Sequence, residues 1–374
     1  MYTIKQLLGF MKQNDASDMY LTHGRAPSFR IHGVVKPAGK VALTDELLAQ
    51  LCKEVLSAEQ WQEFSIKHEL NMAYFDPEVG RYRFNLYYQK EHPAVVVRKI
   101  ETEIKTLSDL SLPTVLESVC MAKRGLVLLV GGTGSGKSTT LAAMINHRNE
   151  NEAGHIITIE DPVEFVHEHK KCVVSQREVG VDTESYRVAL KNTLRQAPTV
   201  ILIGEIRDEE TMEHAINFAE TGHLCLATLH SNNANQAMER VINFFPPERH
   251  RQIYLQLSLN LRAIISQRLV KGAQGGRAAA IEILLGTPRV KELMKKGEVD
   301  ALKEAMTQGS NEGMQTFDHA LFELYRAGRI SLADALENAD SATDLKLKIK
   351  LHGMNDESQE TASTYGFDNG EQVT

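Results

Sequence analysis

This sequence predicts an α/β fold built around a parallel sheet, with a smaller α+β unit ahead of it and a helical segment behind. Three observations carry that prediction. From about Leu110 to Pro288, apolar runs of strand length alternate with helical patterns. Within that stretch, one strand-to-helix junction carries the glycine-rich run Gly131-Gly132-Thr133-Gly134-Ser135-Gly136-Lys137-Ser138. After Pro288 the periodicity turns wholly helical.

The elements follow in order. In the first part, apolar residues at helical spacing mark Ile4–Lys12, and Asp18–Leu21 and Ser28–Val35 read as strands around Gly24 and Pro27. Thr44 caps a helix whose apolar face holds Leu47, Leu48, Leu51 and Val55. The turn Asp76–Gly80 leads into strands Arg81–Gln89 and Ala94–Ile100. The central stretch offers strands Leu126–Val130, His155–Ile159, Val200–Ile203, Leu224–Leu229 and Ala279–Leu284. Between them lie helices Ser138–Arg148, Tyr186–Gln196, Glu209–Glu220, Gln236–Phe244 and a long one over Arg249–Lys271. Helices Val290–Met306, Phe317–Ala327 and Leu332–Leu351 complete the pattern. The expected domains are 1–108, 109–287 and 288–351, with 352–374 a disordered acidic tail that has no Lys or Arg.

Composition removes several classes of function. The 374 residues carry 42 basic and 49 acidic side chains, a formal charge of −7, so a nucleic-acid partner is not expected. No apolar run approaches the ~20 residues of a membrane span, so no transmembrane segment is expected. The first residues lack the order of a secretory signal. Cys52, Cys120, Cys172 and Cys225 lie far apart, which excludes a CxxC zinc element and points to a reducing compartment.

The run Gly131–Ser138 has the form of a phosphate-binding loop, after one strand and opening one helix. Glycines let backbone N–H groups turn onto phosphate oxygens, and the helix amino terminus favours negative charge. Gly131, Gly132, Thr133, Gly134, Ser135, Gly136, Lys137, Ser138 and Thr139 are therefore the expected nucleotide contacts, with Lys137 on the β/γ oxygens and the Ser138 hydroxyl on Mg²⁺. Glu160, Asp161 and Glu164 leave the carboxyl end of one strand, the edge where α/β sheets bind ligands. A second strand, Thr199–Glu205, places Gly204 where a metal-binding Asp usually stands. The acidic part of the metal shell beside Ser138 then falls to Glu205 or to the group Glu160, Asp161 and Glu164, through water. One of Glu160, Asp161 and Glu164 could position or deprotonate the attacking water. His230 ends the strand Leu224–Leu229 at the same edge and can sense a γ-phosphate, while His223 at the other end is read as an interface or packing residue. Arg207 and Asp208 are expected to pair with each other. Arg81 and Arg83 share a strand face and Arg98 sits on a neighbouring strand, either as a basic surface or as cations reaching a nucleotide.

Taken together, the run Gly131–Ser138, the acid box Ile159–Phe165, the strand end Ile203–Asp208 and the stretch Ala219–His230 resemble secretion-superfamily ATPases in order and spacing. The chain resembles the type IV pilus retraction ATPases, the PilT/PilU family, over about residues 1–350. Leu229–Ala237 and the acidic tail place it nearest the PilU-type members. That resemblance implies a PAS-like first domain, a RecA-like P-loop ATPase domain and a C-terminal helical segment. It also implies ATP and Mg²⁺ as ligands, a homohexamer with nucleotide at subunit interfaces, a PilT-type ATPase and an inner-membrane pilus platform protein as partners, and a place at the cytoplasmic face of the inner membrane. By the same resemblance, Glu164 and Glu205 match acids of hydrolysis, and Arg81, Arg83 and Arg98 match arginines that approach the nucleotide. Gly132 stands where retraction ATPases commonly have Pro, and Pro288–Met294 matches their retraction motif only in part. A nucleotide-binding coupling subunit with weak hydrolysis is the alternative those departures support.

Overall fold

In the computed structural model, the described residues are 2–100 and 103–352, and of the expected tail only His352 lies among them. Two units are distinguished: Met1–Asp109 with Leu116–Leu126 and Ser138–Thr228, and Leu110–Val115 with Val127–Lys137 and Leu229–Thr374.

The first unit opens with α1 (Ile4–Gln13), whose Thr3 cap and Gln6 side chain satisfy each other's backbone N–H groups. Strands β1 (Ala16–Thr22), β2 (Ser28–Ile31) and β3 (Val34–Pro37) follow. The expected single strand Ser28–Val35 is broken in two, because His32 and Gly33 adopt left-handed backbone and turn the chain. Next come α2 (Asp45–Lys53), capped by Thr44 as expected, α3 (Ala58–Lys67), β4 (Glu69–Asp76), β5 (Gly80–Gln89) and β6 (His92–Ile100). The six strands form one sheet in the order β3-β2-β1-β6-β5-β4, every pair antiparallel. One face packs Leu8, Met11, Met19, Phe29, Phe64 and Phe84 into a core. Arg81 and Arg83 alternate with the buried Tyr82 and Phe84, so they stand on the opposite face.

The chain continues through α4 (Val115–Cys120), β7 (Gly125–Val130), α5 (Lys137–Asn151), β8 (Gly154–Glu160), β9 (Cys172–Glu178), α6 (Tyr186–Thr193), β10 (Val200–Ile203), α7 (Glu209–Glu220) and β11 (Leu224–Leu229). Within the first unit β11, β10, β8 and β9 lie side by side and parallel. β10 and β11 are buried along their whole length, and parallel strands buried on both faces read as apolar runs. The strand β9 has no counterpart in the expected elements. It lies at the end of the sheet, its Val173 is 57% exposed, and four of its seven residues are polar, which hides the apolar signal.

The second unit adds α8 (Ala234–Asn243), α9 (His250–Asn260), β12 (Leu261–Lys271) and β13 (Arg277–Leu285), then α10 (Pro288–Lys296), α11 (Leu302–Gln308), α12 (Phe317–Arg326), α13 (Leu332–Glu337) and α14 (Ala342–Leu351). The long helix expected over Arg249–Lys271 is corrected here. It stops at Asn260, Leu261 turns extended, and eleven residues continue as β12. The spacing of Leu261, Ile264, Ile265 and Leu269 suits a helix as well as a strand. Pairing with β13 decides it, from Ala263 opposite Leu285 to Lys271 opposite Arg277. That pairing is antiparallel, where parallel strands were expected. Among the described residues no helix is long and apolar enough to cross a membrane.

Candidate nucleotide site

In the second unit, the loop after β7 has the form a phosphate requires. Gly134 and Gly136 take left-handed backbone, φ 75° and 86°, which a side chain would strain. Gly131 is needed for space: a Cβ there would fall 2.5 Å from Ser135 Oγ and 2.6 Å from the Gln267 carbonyl of β12. Lys137 opens α5 and folds its ammonium back over the loop, donating to the carbonyls of Gly131 at 2.8 Å and Gly132 at 2.9 Å. Ser135 Oγ is buried without a hydrogen-bond partner among the described residues. A ring of small residues, an orphaned hydroxyl and an ammonium poised over it fit a phosphate chain. Ser138 and Thr139 follow in the first turn of α5. His230 shares a cavity of about 550 Å³ with Gly132, Ser231, Asn232, Gln236 and Arg240. Thus the structure brings His230 and the loop glycine to one cavity.

In the first unit, the carboxyl ends of β8 and β10 gather the acids. Glu160 accepts hydrogen bonds from Thr158 Oγ1 at 2.6 Å and Gln176 Nε2 at 3.3 Å. Burial outweighs those bonds and pushes its carboxyl up to about 7. Gly204 explains its own departure from the usual Asp. A Cβ there would lie 2.9 Å from the Tyr186 hydroxyl and 3.0 Å from the Glu160 Cα, so no side chain fits. Glu205 instead projects just beyond and accepts from Arg207 Nε at 2.6 Å, while Arg207 also reaches Asp161 at 3.6 Å. The expected Arg207–Asp208 pair is therefore corrected. Asp208 turns away to cap α7, accepting from Thr211 N at 2.8 Å, because a helix amino terminus needs that acceptor. Glu160, Ser138 and Glu205 offer hard oxygen donors only, the donor set suited to Mg²⁺.

The arginines lie on the amino-terminal sheet. Arg83 and Arg98 are register partners across β5 and β6, and Arg81 sits opposite Ile100. Sequence reasoning missed what holds Arg98: the buried Asp18 on β1 accepts from its Nε at 2.9 Å and also meets Arg30 at 3.4 Å. Asp18 pairs with Arg98 in the β1–β6 register, a relation only strand pairing creates. The Glu164 charge also raises Arg98, behind the larger effect of Asp18. Glu164 itself is exposed. Also missed was Glu178 on β9, which accepts from Val163 N at 3.1 Å and so shapes the acid box. His223 makes local contacts: its ring meets Thr221 Oγ1 at 3.1 Å and its carbonyl accepts from Gly125 N at 3.0 Å.

This geometry can be set beside known proteins. A family model described as "Type II/IV secretion system protein" matches residues 4–346. The chain belongs to this family. Within the family it is 52% identical over 364 residues to the "Type IV pilus ATPase PilU" of Pseudomonas aeruginosa, covering 97% of this chain and 95% of that one. It is 40% identical over 336 residues to the "Type IV pilus retractation ATPase PilT" of the same organism, covering 90% of this chain and 98% of that one. A solved structure, "Crystal Structure of the Pilus Retraction Motor PilT and Bound ADP", aligns with a TM-score of 0.87 at 37% identity, over 93% of this chain and all of that one. The family's fold therefore extends across both units of this chain.

Proposed function

We propose that this protein is an ATP-hydrolysing motor subunit of type IV pilus retraction. The observation that carries the reading is the loop Gly131–Ser138, where Lys137 and the glycines build a phosphate cradle on a chain similar to named pilus ATPases along almost its whole length. The reading assigns residues 1–108 to a PAS-like domain, 109–287 to a RecA-like ATPase domain and 288–351 to a helical subdomain, working as a homohexamer. It places the ring at the cytoplasmic face of the inner membrane, beside a PilT-type ATPase and a membrane platform protein.

The roles follow from the chemistry of each side chain. Loop amides and Lys137 bind the phosphates of ATP, and Lys137 neutralises charge that develops on the transferred group. Ser138, with Glu160 and Glu205 through water, would hold Mg²⁺, which when bound neutralises the β- and γ-phosphate oxygens. Glu205 or Glu164 orients the attacking water and takes its proton. His230 reports the γ-phosphate from its cavity. Arg81, Arg83 and Arg98 of the amino-terminal domain supply positive charge toward a nucleotide in the ring, and hydrolysis drives the conformational step that turns chemistry into motion.

A coupling subunit with weak hydrolysis is the second reading, favoured by one observation. The Glu205 carboxylate is already engaged by Arg207 at 2.6 Å. Steady-state ATPase assays on the full chain, its Lys137→Ala variant and Glu205→Gln, each with a measured assembly mass, test both. Turnover from a ring-sized species, abolished in Lys137→Ala and reduced ~10²–10⁴-fold in Glu205→Gln with nucleotide binding retained, supports the motor. A ring that binds ATP and barely hydrolyses it supports the coupling subunit.

A further inference from the structure

The amino-terminal sheet carries a group of ligating side chains that the proposed function does not use. His23 follows β1 directly and His92 opens β6, and these strands pair with Thr22 opposite Ala94. His23 also bridges to Leu43, and Gly24 N donates to the Leu43 carbonyl at 2.9 Å. That connection brings Asp45, the first residue of α2, to the same strand ends. There His23 Nδ1 lies 2.8 Å from Asp45 Oδ1, and His92 Nδ1 lies 2.8 Å from Asp45 Oδ2. The two imidazoles stack with centroids 3.9 Å apart and planes 12° apart. Among the described residues this is the one group of three such side chains whose ligand atoms all lie within 4.8 Å of one another.

We propose that His23, Asp45 and His92 form a binding site for a divalent transition metal of the zinc class. Two imidazole nitrogens and one carboxylate oxygen are the donor set of three-ligand zinc sites that leave a position for water. Magnesium and calcium, which take oxygen ligands, suit it poorly. Each Nδ1 already points at an Asp45 oxygen, so the ion takes the place now bridged by hydrogen bonds. A neutral imidazole that donates from Nδ1 shifts that proton to Nε2 on binding, and no proton is lost. The stacked rings must splay for their lone pairs to converge. The side chains of His23 and His92 are 41% and 39% exposed, which leaves them room to turn. The three anchors sit at a strand end, a strand start and a helix start, so an ion held there staples α2 to the sheet.

Zinc titration of the metal-stripped full chain without nucleotide, by calorimetry, tests the site beside Asp45→Asn and His92→Gln. Asp45→Asn keeps the shape and removes the anionic ligand. The expected result is one zinc equivalent in the native chain, weakened by about tenfold or more in each variant, with a zinc-dependent rise in melting temperature lost in both. Should one variant fail to fold, His23→Gln supplies the same comparison. No zinc binding, or binding that both folded variants retain at native affinity, overturns the proposal and leaves the three residues a hydrogen-bonded clasp.

Discussion

Arg207 donates from Nε to Glu205 Oε2 over 2.6 Å and stands 3.6 Å from Asp161, so one guanidinium ties the end of β10 to the acid box after β8. On the proposed reading in which Glu205 orients water, that carboxylate is held by its neighbour two residues on. On the motor reading, turnover should fall about tenfold in Arg207→Gln with little change in the KM for ATP, whereas a rise would favour the coupling reading, in which the pair occupies Glu205. Arg207→Lys should recover part of the loss, since an ammonium can pair with Glu205 but lacks the fork that also reaches Asp161. Steady-state kinetics of the two variants provide the check.

Neighbouring loop glycines should respond oppositely to one added methyl. Gly131→Ala drives a Cβ to within 2.6 Å of the Gln267 carbonyl, a backbone atom that cannot step aside, whereas nothing lies within 4 Å of a Cβ at Gly132. We expect Gly131→Ala to lose nucleotide binding and about 1–3 kcal/mol of stability. Gly132→Ala should stay within about 0.5 kcal/mol of the native chain and keep binding. Denaturant midpoints and titration with a fluorescent nucleotide distinguish the two.

His167, in the turn after the acid box, is buried with Nδ1 unpartnered, and burial ahead of the Lys170 charge pulls its pKa from 6.5 down to about 4. The folded protein thus refuses a proton that the unfolded chain accepts. Its contribution is fully present above the unfolded value of 6.5 and is lost as pH falls toward 4, up to about 3 kcal/mol in all. Urea midpoints taken between those limits should fall more steeply for the native chain than for His167→Gln, which has no group to titrate there.

Arg268 on β12 fastens the helical segment. Its guanidinium donates to the Asn338 carbonyl at 2.8 Å and to Asp340 at 2.7 Å, and lies 3.8 Å over the Phe317 ring. Arg268→Ala should cost about 2 kcal/mol and expose the chain between α12 and α14 to protease. Arg268→Lys should fall between, keeping the charge and losing the planar fork. Limited proteolysis with mapped cleavage sites, read beside melting curves, tests this.

Much of the architecture was legible because it depends on local pattern. The Thr44 cap, the all-apolar runs of β7, β10 and β11, and the helix Glu209–Glu220 follow from spacing and capping within a few residues. The phosphate loop was legible for the same reason, since its glycines and lysine act on their own backbone within seven residues.

Other features arise only when distant segments meet. Leu261–Lys271 has a spacing that suits either helix or strand, and hydrogen bonding to β13 made it a strand. Gly204 reads as a missing ligand in the sequence, yet it is the residue that lets Tyr186 and Glu160 close around β10. Asp18 finds Arg98 eighty positions away through strand register, and His23, Asp45 and His92 converge because two strand ends and a helix start share one corner. By itself the sequence determined the locally patterned elements, the loop and the family; tertiary packing decided which charges neutralise one another, because Coulomb and hydrogen-bond energies depend on distances that strand pairing sets.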